Sequence, residues 1–356
     1  MKVTFDVSGL GGNQITGVGV YTTQLTEAIQ VSNPQIELTS TYKFTRHKYR
    51  KHISNKIHLP FLIPYIPIIY NLYKSNFDIF HGTDFWIPQE SSFKKVLTIH
   101  DLAIYHSAYY APERRAYSIP IFEKVLLKHN PDHIIVVSNF IRNELIARFP
   151  QLAHKTSVVY HGCEHFTNFT GLKKTFEGPY IVCIGTIEAR KNVLNLYHAF
   201  LIVKSKFPEI KLVFCGGAGG YQSEEIMREI TSEKAIRNGV IYTGYVTDEQ
   251  KSSILHYALM AVYPSFYEGF GFPIIEAMKA GVPVVTSSFG AMQEIAGDAA
   301  LTTDTHNTEA LANAMIEFIE SSAKRNEFIA KGFEHTNLFS WSNCAKQTIQ
   351  IYEQLI

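Results

Sequence analysis

Two carboxylates eight residues apart, Glu268 and Glu276, stand in the stretch PSFYEGFGFPIIEAMKAGVP from Pro264 to Pro283. Ionised carboxylates only accept hydrogen bonds and repel phosphate, so their natural partners are hydroxyls, such as those of a ribose or a sugar. Between them, Gly269 and Gly271 let the backbone approach a ligand closely. Pro273 marks the start of a helix, whose unpaired N–H groups and partial positive charge suit a phosphate. Hydroxyl acceptors beside an anion site predict a pocket for a nucleotide joined to a sugar. The plainer alternative is the strand, loop and helix of any α/β protein, with Glu276 complementing the helix dipole. Arg190 and Lys191 follow another strand end and can supply two cations for a diphosphate without a metal. No Asp-x-Asp and no His/Cys ligand spacing occurs in the sequence. A surface basic pair is the alternative there.

The elements that must hold these residues read as two successive α/β series. In the second, strands are expected at Tyr180–Gly185, Lys211–Cys215, Val240–Thr243, Leu259–Tyr263 and Pro283–Thr286, with a helix over Asn192–Lys206 and another capped by Thr247 or Asp248. That arrangement puts Glu268 on a loop and Glu276 in the first turn of its helix. The first series opens with a strand at Lys2–Val7, a loop carrying Gly9, Gly11, Gly12, Gly17 and Gly19, and a helical pattern through Tyr21, Leu25, Ala28 and Ile29. The dinucleotide fingerprint is incomplete, because Gln14 and Thr22 occupy the third glycine positions. Backbone N–H groups at Gly17 and Gly19 suit a phosphate edge better. Strands at 77–80, 95–99 and 133–137 end in His81, His100-Asp101 and Ser138-Asn139. Ligands gather at the carboxyl ends of parallel strands, which places His100 for function. Asp78 reads as a surface cap. Residues 161–179 form the expected hinge, and the chain closes with three helical segments, the last of which is amphipathic and is expected to cross back to the first domain.

A chain of 356 residues, 46% apolar and 13% aromatic, predicts two domains with cores of their own. The net charge is +1, but Leu38 to Phe77 holds seven basic residues and no acidic one, so the rest is net acidic. Directly after residues 43–58 comes LPFLIPYIPIIYNLY at 59–73. A basic segment beside an apolar, aromatic one over residues 43–70 fits an anionic membrane surface, and equally a solvated loop beside a core helix. The acidic balance elsewhere argues against nucleic acid. Cys163, Cys183, Cys215 and Cys344 form no CxxC pair and read as buried thiols in a reducing cytoplasm. MKVTFDV reads as a strand rather than a signal peptide, and no run reaches the 18 apolar residues of a membrane span.

The stretches GVGVYTTQL at 17–25, TIHDL at 98–102, VVSNFIRNEL at 136–145, RKN at 190–192 and SFYEGFGFPIIEAMKAGVPVV at 265–285 together resemble the retaining glycosyltransferases of the GT-B fold. That large family includes bacterial mannosyltransferases, phosphatidylinositol mannosyltransferase and sucrose-phosphate synthase, and the last stretch is its most specific mark. The resemblance covers nearly the whole chain. It implies two Rossmann-like domains facing across a cleft, an acceptor-binding one over 1–163 joined by 341–356, and a nucleotide-sugar-binding one over 164–340. Glu268, with the backbone of Gly269, Phe270 and Gly271, would contact the donor sugar, and Glu276 the ribose. Arg190 and Lys191 would hold the diphosphate, which Gly17 and Gly19 approach, with His100 beside the transferred sugar and Tyr245 and Val246 at the base. Many members carry an arginine where this chain has Thr186, which throws more of the phosphate binding onto Arg190 and Lys191. The implied reaction is metal-independent front-face transfer. TIHDLAIYH resembles the mannosyltransferases most, so GDP-mannose is the expected donor and a lipid-linked glycan the expected acceptor, in polysaccharide or O-antigen synthesis at the inner face of the cell membrane. The alternatives are a sugar-nucleotide 2-epimerase and a two-domain binding protein without catalysis.

Overall fold

Strand β1 (Lys2–Asp6) has every residue after its first buried, and the apolar runs that follow it repeat this pattern. Strands covered by helices on both faces have no solvent side, so their sequences run apolar without alternating. The computed structural model describes residues 1–12, 15–59, 62–65, 77–89, 92–164, 166 and 171–356. Most of the apolar stretch 59–73, Gln14 and residues 165 and 167–170 of the expected hinge lie outside these.

The chain divides into two units: Met1–Leu102 with Glu113–His165 and Phe339–Ile356, and Ala103–Pro112 with Phe166–Leu338. In the first, β1, β2 (Glu37–Lys43), β3 (Leu62–Tyr65), β4 (Ile79–Gly82), β5 (Lys94–Ile99), β6 (His133–Val136) and β7 (Thr156–Val158) form a parallel sheet of order β3-β2-β1-β4-β5-β6-β7. In the second, β8 (Tyr180–Ile184), β9 (Lys211–Cys215), β10 (Val240–Tyr242), β11 (Met260–Tyr263), β12 (Val284–Ser287) and β13 (Leu301–Thr303) form a parallel sheet of order β10-β9-β8-β11-β12-β13. The two α/β series read from the sequence are both present. β4 starts two residues later than expected, and Asp78, just before it, acts as the cap read from the sequence by accepting from the Lys2 backbone N–H at 2.7 Å. The four cysteines are free and buried. Among the described residues no helix is long and apolar enough to cross a membrane.

The C-terminal helix Trp341–Leu355 packs on the helix Gly17–Ser32 of the first unit. Its Tyr352 hydroxyl meets His81 Nδ1 at 2.5 Å, His81 Nε2 meets Thr98 Oγ1 at 2.7 Å, and Thr98 meets the Tyr21 hydroxyl at 2.8 Å. His81 is therefore a fully buried core residue inside β4, and not a ligand-facing strand tip. Burial, aided by His100, lowers its pKa from 6.5 to about 3. The imidazole is neutral when folded and protonates in the unfolded chain, so its contribution is complete above pH 6.5 and is lost as pH falls from 6.5 toward 3. Between pH 7.5 and 5 this one group should cost the first unit about 2 kcal/mol. Both tryptophans, Trp86 and Trp341, lie in that unit, so urea melts followed by tryptophan fluorescence report it. His81→Gln should flatten the acid dependence, and a variant as acid-sensitive as the wild type would refute this origin.

Candidate functional site

The second sheet reverses direction at β8: β9 and β10 lie on one side and β11 to β13 on the other. Open parallel sheets bind ligands at such a switch point, outside the carboxyl ends of the two strands. Arg190 and Lys191 follow β8 in a 3-10 turn, Ala189–Lys191, and Glu268 follows β11. The two loops are pinned together. Asn192, at φ +57° where asparagine is tolerated, donates from its amide to Pro264 O at 3.1 Å and to Thr305 O at 2.7 Å. Phe266 N–H donates to Arg190 O at 2.8 Å. A pocket opens here, lined by Gly185, Thr186, Lys191, Ser265, Glu268 and Pro273. Gly271 closes its loop at φ +108°, a conformation that favours glycine, and the helix Phe272–Lys279 starts immediately after it.

Four charged side chains pair here, and two of them, Lys191 and Glu268, line the pocket. Glu268 Oε2 pairs with Arg190 Nη1 at 2.9 Å, and its Oε1 pairs with Lys191 Nζ and accepts from Ser265 Oγ at 3.3 Å. Arg190 Nε pairs in turn with Glu188 Oε1 at 2.8 Å. Their side chains are 12–21% exposed, shielded enough that these charges are felt more strongly than on open surface. Burial pushes the Glu268 carboxyl up, but Lys191 and Arg190 outweigh it and hold the group below its ordinary value, so it is ionised. The expected division, cations for phosphate and Glu268 for sugar, thus meets a direct pairing between the two sets. Glu188 escaped the sequence reading. Only the fold reveals its neighbour in the loop after β9: a Cβ at Gly220, where φ is +89°, would lie 2.4 Å from Glu188 Oε2, so the glycine makes room for this carboxylate.

Glu276 is the fifth residue of its helix and not in the first turn, because that helix begins at Phe272. It is 6% exposed and pairs with Lys251 Nζ at 3.0 Å. Lys251 belongs to the helix Asp248–His256, capped as expected at Thr247, here by a reciprocal bond with Gln250. Burial works against the lysine's charge, but Glu276 and Asp248 raise its pKa above the ordinary value. Lys251 was also missed, since nothing in its own segment points to a partner 25 residues on. Tyr245, 54% exposed, and Val246 lie in the loop before Thr247. Gly269 and Phe270 lie on the Glu268 loop, with the Phe270 ring buried 5.3 Å from Phe272.

In the first unit, His100 follows β5 at the carboxyl edge of its sheet. Its Nε2–H donates to Thr83 O at 2.8 Å, which leaves the lone pair on Nδ1. Burial lowers its pKa, partly opposed by Asp84. The ring lies 4.9 Å from Tyr21 and 5.5 Å from His161. Gly17 and Gly19 are not loop residues: they form the first turn of the helix Gly17–Ser32, because Thr16 caps it by accepting from Gly19 N–H at 3.4 Å. Ser138 likewise spends its hydroxyl capping the helix Asn139–Arg148.

Two units of parallel sheet, with a C-terminal helix returning to the first, define the GT-B class of transferase fold. The profile of the family "Glycosyl transferases group 1" matches residues 167–335 and that of "Glycosyltransferase Family 4" matches residues 15–165. The chain is 32% identical over 290 residues to the O-antigen chain mannosyltransferase B of Escherichia coli, covering 78% of this chain and 74% of that one. It belongs to this family of glycosyltransferases. Sucrose-phosphate synthase from Thermosynechococcus elongatus has the same fold, with a TM-score of 0.78 at 21% identity over 99% of this chain and 98% of that one. So does the Anabaena protein HepE, solved with UDP and glucose, with a TM-score of 0.72 at 17% identity over 99% and 100%.

Proposed function

We propose that this glycosyltransferase moves a hexose, mannose first, from a nucleoside-diphosphate sugar to a glycan or lipid-linked acceptor in polysaccharide synthesis, with retention and without a metal. The observation that carries this reading is the pair of cations at the switch point beside a helix start, with a carboxylate between them. The donor diphosphate takes over Arg190 and Lys191, and Glu268 turns from them to the sugar hydroxyls. Glu276 takes the ribose. As the glycosidic bond breaks, the cations and the helix start stabilise the leaving diphosphate. Its oxygen can accept the proton of the acceptor hydroxyl attacking from the same face, so no protein nucleophile is needed. Support for mannose and a glycan acceptor comes from the relative named an O-antigen chain mannosyltransferase, and support for a nucleotide donor from HepE, which is named as a complex with UDP. Arg46, Lys48, Arg50 and Lys51 are exposed while Ile53 and Ile57 are buried, which suits an anionic membrane bearing the acceptor.

A thermal-shift screen of GDP-, UDP-, ADP- and dTDP-sugars, followed by transfer assays with EDTA and with anionic vesicles, tests the reading. A donor at 100 times its Kd should stabilise by about 2.7 kcal/mol. The transferred sugar should keep its anomeric configuration by NMR, and the enzyme should pellet with the vesicles. Binding without transfer or hydrolysis would instead mark a binding protein, and an altered free sugar an epimerase.

A further inference from the structure

We infer that Lys251 is a positioning residue for the nucleotide: it fixes the charge and orientation of the Glu276 carboxylate that takes the ribose. The inference rests on the ribose reading of Glu276 above. Two independent features single the lysine out. The first is its pairing. Its Nζ lies 3.0 Å from Glu276, whose side chain is 8% exposed, and 3.5 Å from Asp248, whose side chain is 88% exposed. The buried pair dominates, because solvent screens the exposed one.

The second feature is its place in its own helix. Lys251 is the fourth residue of Asp248–His256, near the helix's positive end, where the dipole disfavours a cation and where Asp248 and Glu249 are the residues the helix prefers. Its ammonium also stands over the Phe166 ring, 5.5 Å from the ring centre, a cation–π contact from outside its own helix. A lysine so placed serves a neighbour rather than its helix. The neighbour is a carboxylate one turn past the start of the helix Phe272–Lys279, whose Pro273 lines the pocket proposed above for the diphosphate. An uncompensated charge on Glu276 would repel that diphosphate. The lysine cancels it while leaving an acceptor group for hydroxyls.

The test compares GDP with 2′,3′-dideoxy-GDP, and UDP with its dideoxy form, by calorimetry. The wild type should prefer the ribonucleotide by about 10- to 100-fold, the range expected for hydrogen bonds to a charged group. In Lys251→Met that preference should fall below about threefold, while Lys251→Arg should keep most of it, and at saturating donor the Met variant's kcat should fall less than its KM rises. Lys251→Gln carries the same test if the Met variant does not fold. An intact ribose preference in Lys251→Met or Lys251→Gln would overturn the inference and leave the lysine a structural cation. A wild type without any ribose preference would instead overturn the role of Glu276 itself.

Discussion

Lys191→Ala is expected to lower kcat by about 10²- to 10³-fold, the usual cost of removing one preorganised group that stabilises developing charge. Lys191 lies at the switch point with its side chain over Gly185, where a Cβ would sit 3.9 Å from its Cε and 4.0 Å from its Nζ. It is 16% exposed, so little water can replace its charge. Arg190 does not replace it, because that guanidinium has its own place on the diphosphate and stays held by Glu188 at 2.8 Å. Folding should survive, since Arg190 remains to neutralise Glu268. Steady-state transfer at saturating donor measures the effect, with circular dichroism as the control. Turnover within a factor of a few of the wild type would remove Lys191, and with it the cation site, from the mechanism.

Glu268→Gln is expected to move two affinities in opposite directions. In the wild type Glu268 is ionised and paired with both cations, so a nucleoside diphosphate must displace it. Glutamine has the same shape without the charge. A diphosphate carrying no sugar should then bind about fivefold tighter, roughly 1 kcal/mol for a lost, partly shielded competing ion pair. The sugar donor has the opposite need. Its hydroxyls lose a charged acceptor, so kcat should fall by about 10²-fold. Calorimetry with GDP and UDP, set beside turnover with the sugar donor, separates the effects. Equal weakening of both ligands would show that Glu268 holds the loop and does not exchange partners.

Strands buried on both faces announce themselves as apolar runs, and Lys211–Cys215 has the bounds that its run suggests. Capping chemistry is equally local, so Thr247 could be read from its own neighbours. β2, ELTSTYK, was not legible. Leu38, Ser40, Thr41 and Tyr42 are buried in it, but its hydroxyls look solvated until a neighbouring strand is there to meet them, as Thr4 meets Thr39 at 2.8 Å. The three-residue strands β7 and β13 are too short and too polar to show any period. Gly17 and Gly19 misled for a related reason: glycine suggests a loop, and only the Thr16 cap shows that the helix has already begun.

The chemical groups and their places on loops follow from local sequence: Glu268 beside its glycines, Arg190 and Lys191 after a strand, His100 at a strand end, and the two α/β series that carry them. Those features depend on neighbours within a few residues, where backbone sterics and local periodicity decide. The partners of those groups come from long-range packing. β8 and β11 lie side by side, and that adjacency brings Glu268 onto Arg190 and Lys191, with Glu188 completing the set. The same packing sets Lys251 against Glu276 and makes His81 a core residue bound to Tyr352. Charge pairing acts through space over a few ångströms. Which residues come that close is set by the order of strands in a sheet, and strand order leaves no mark on the sequence around any one of them.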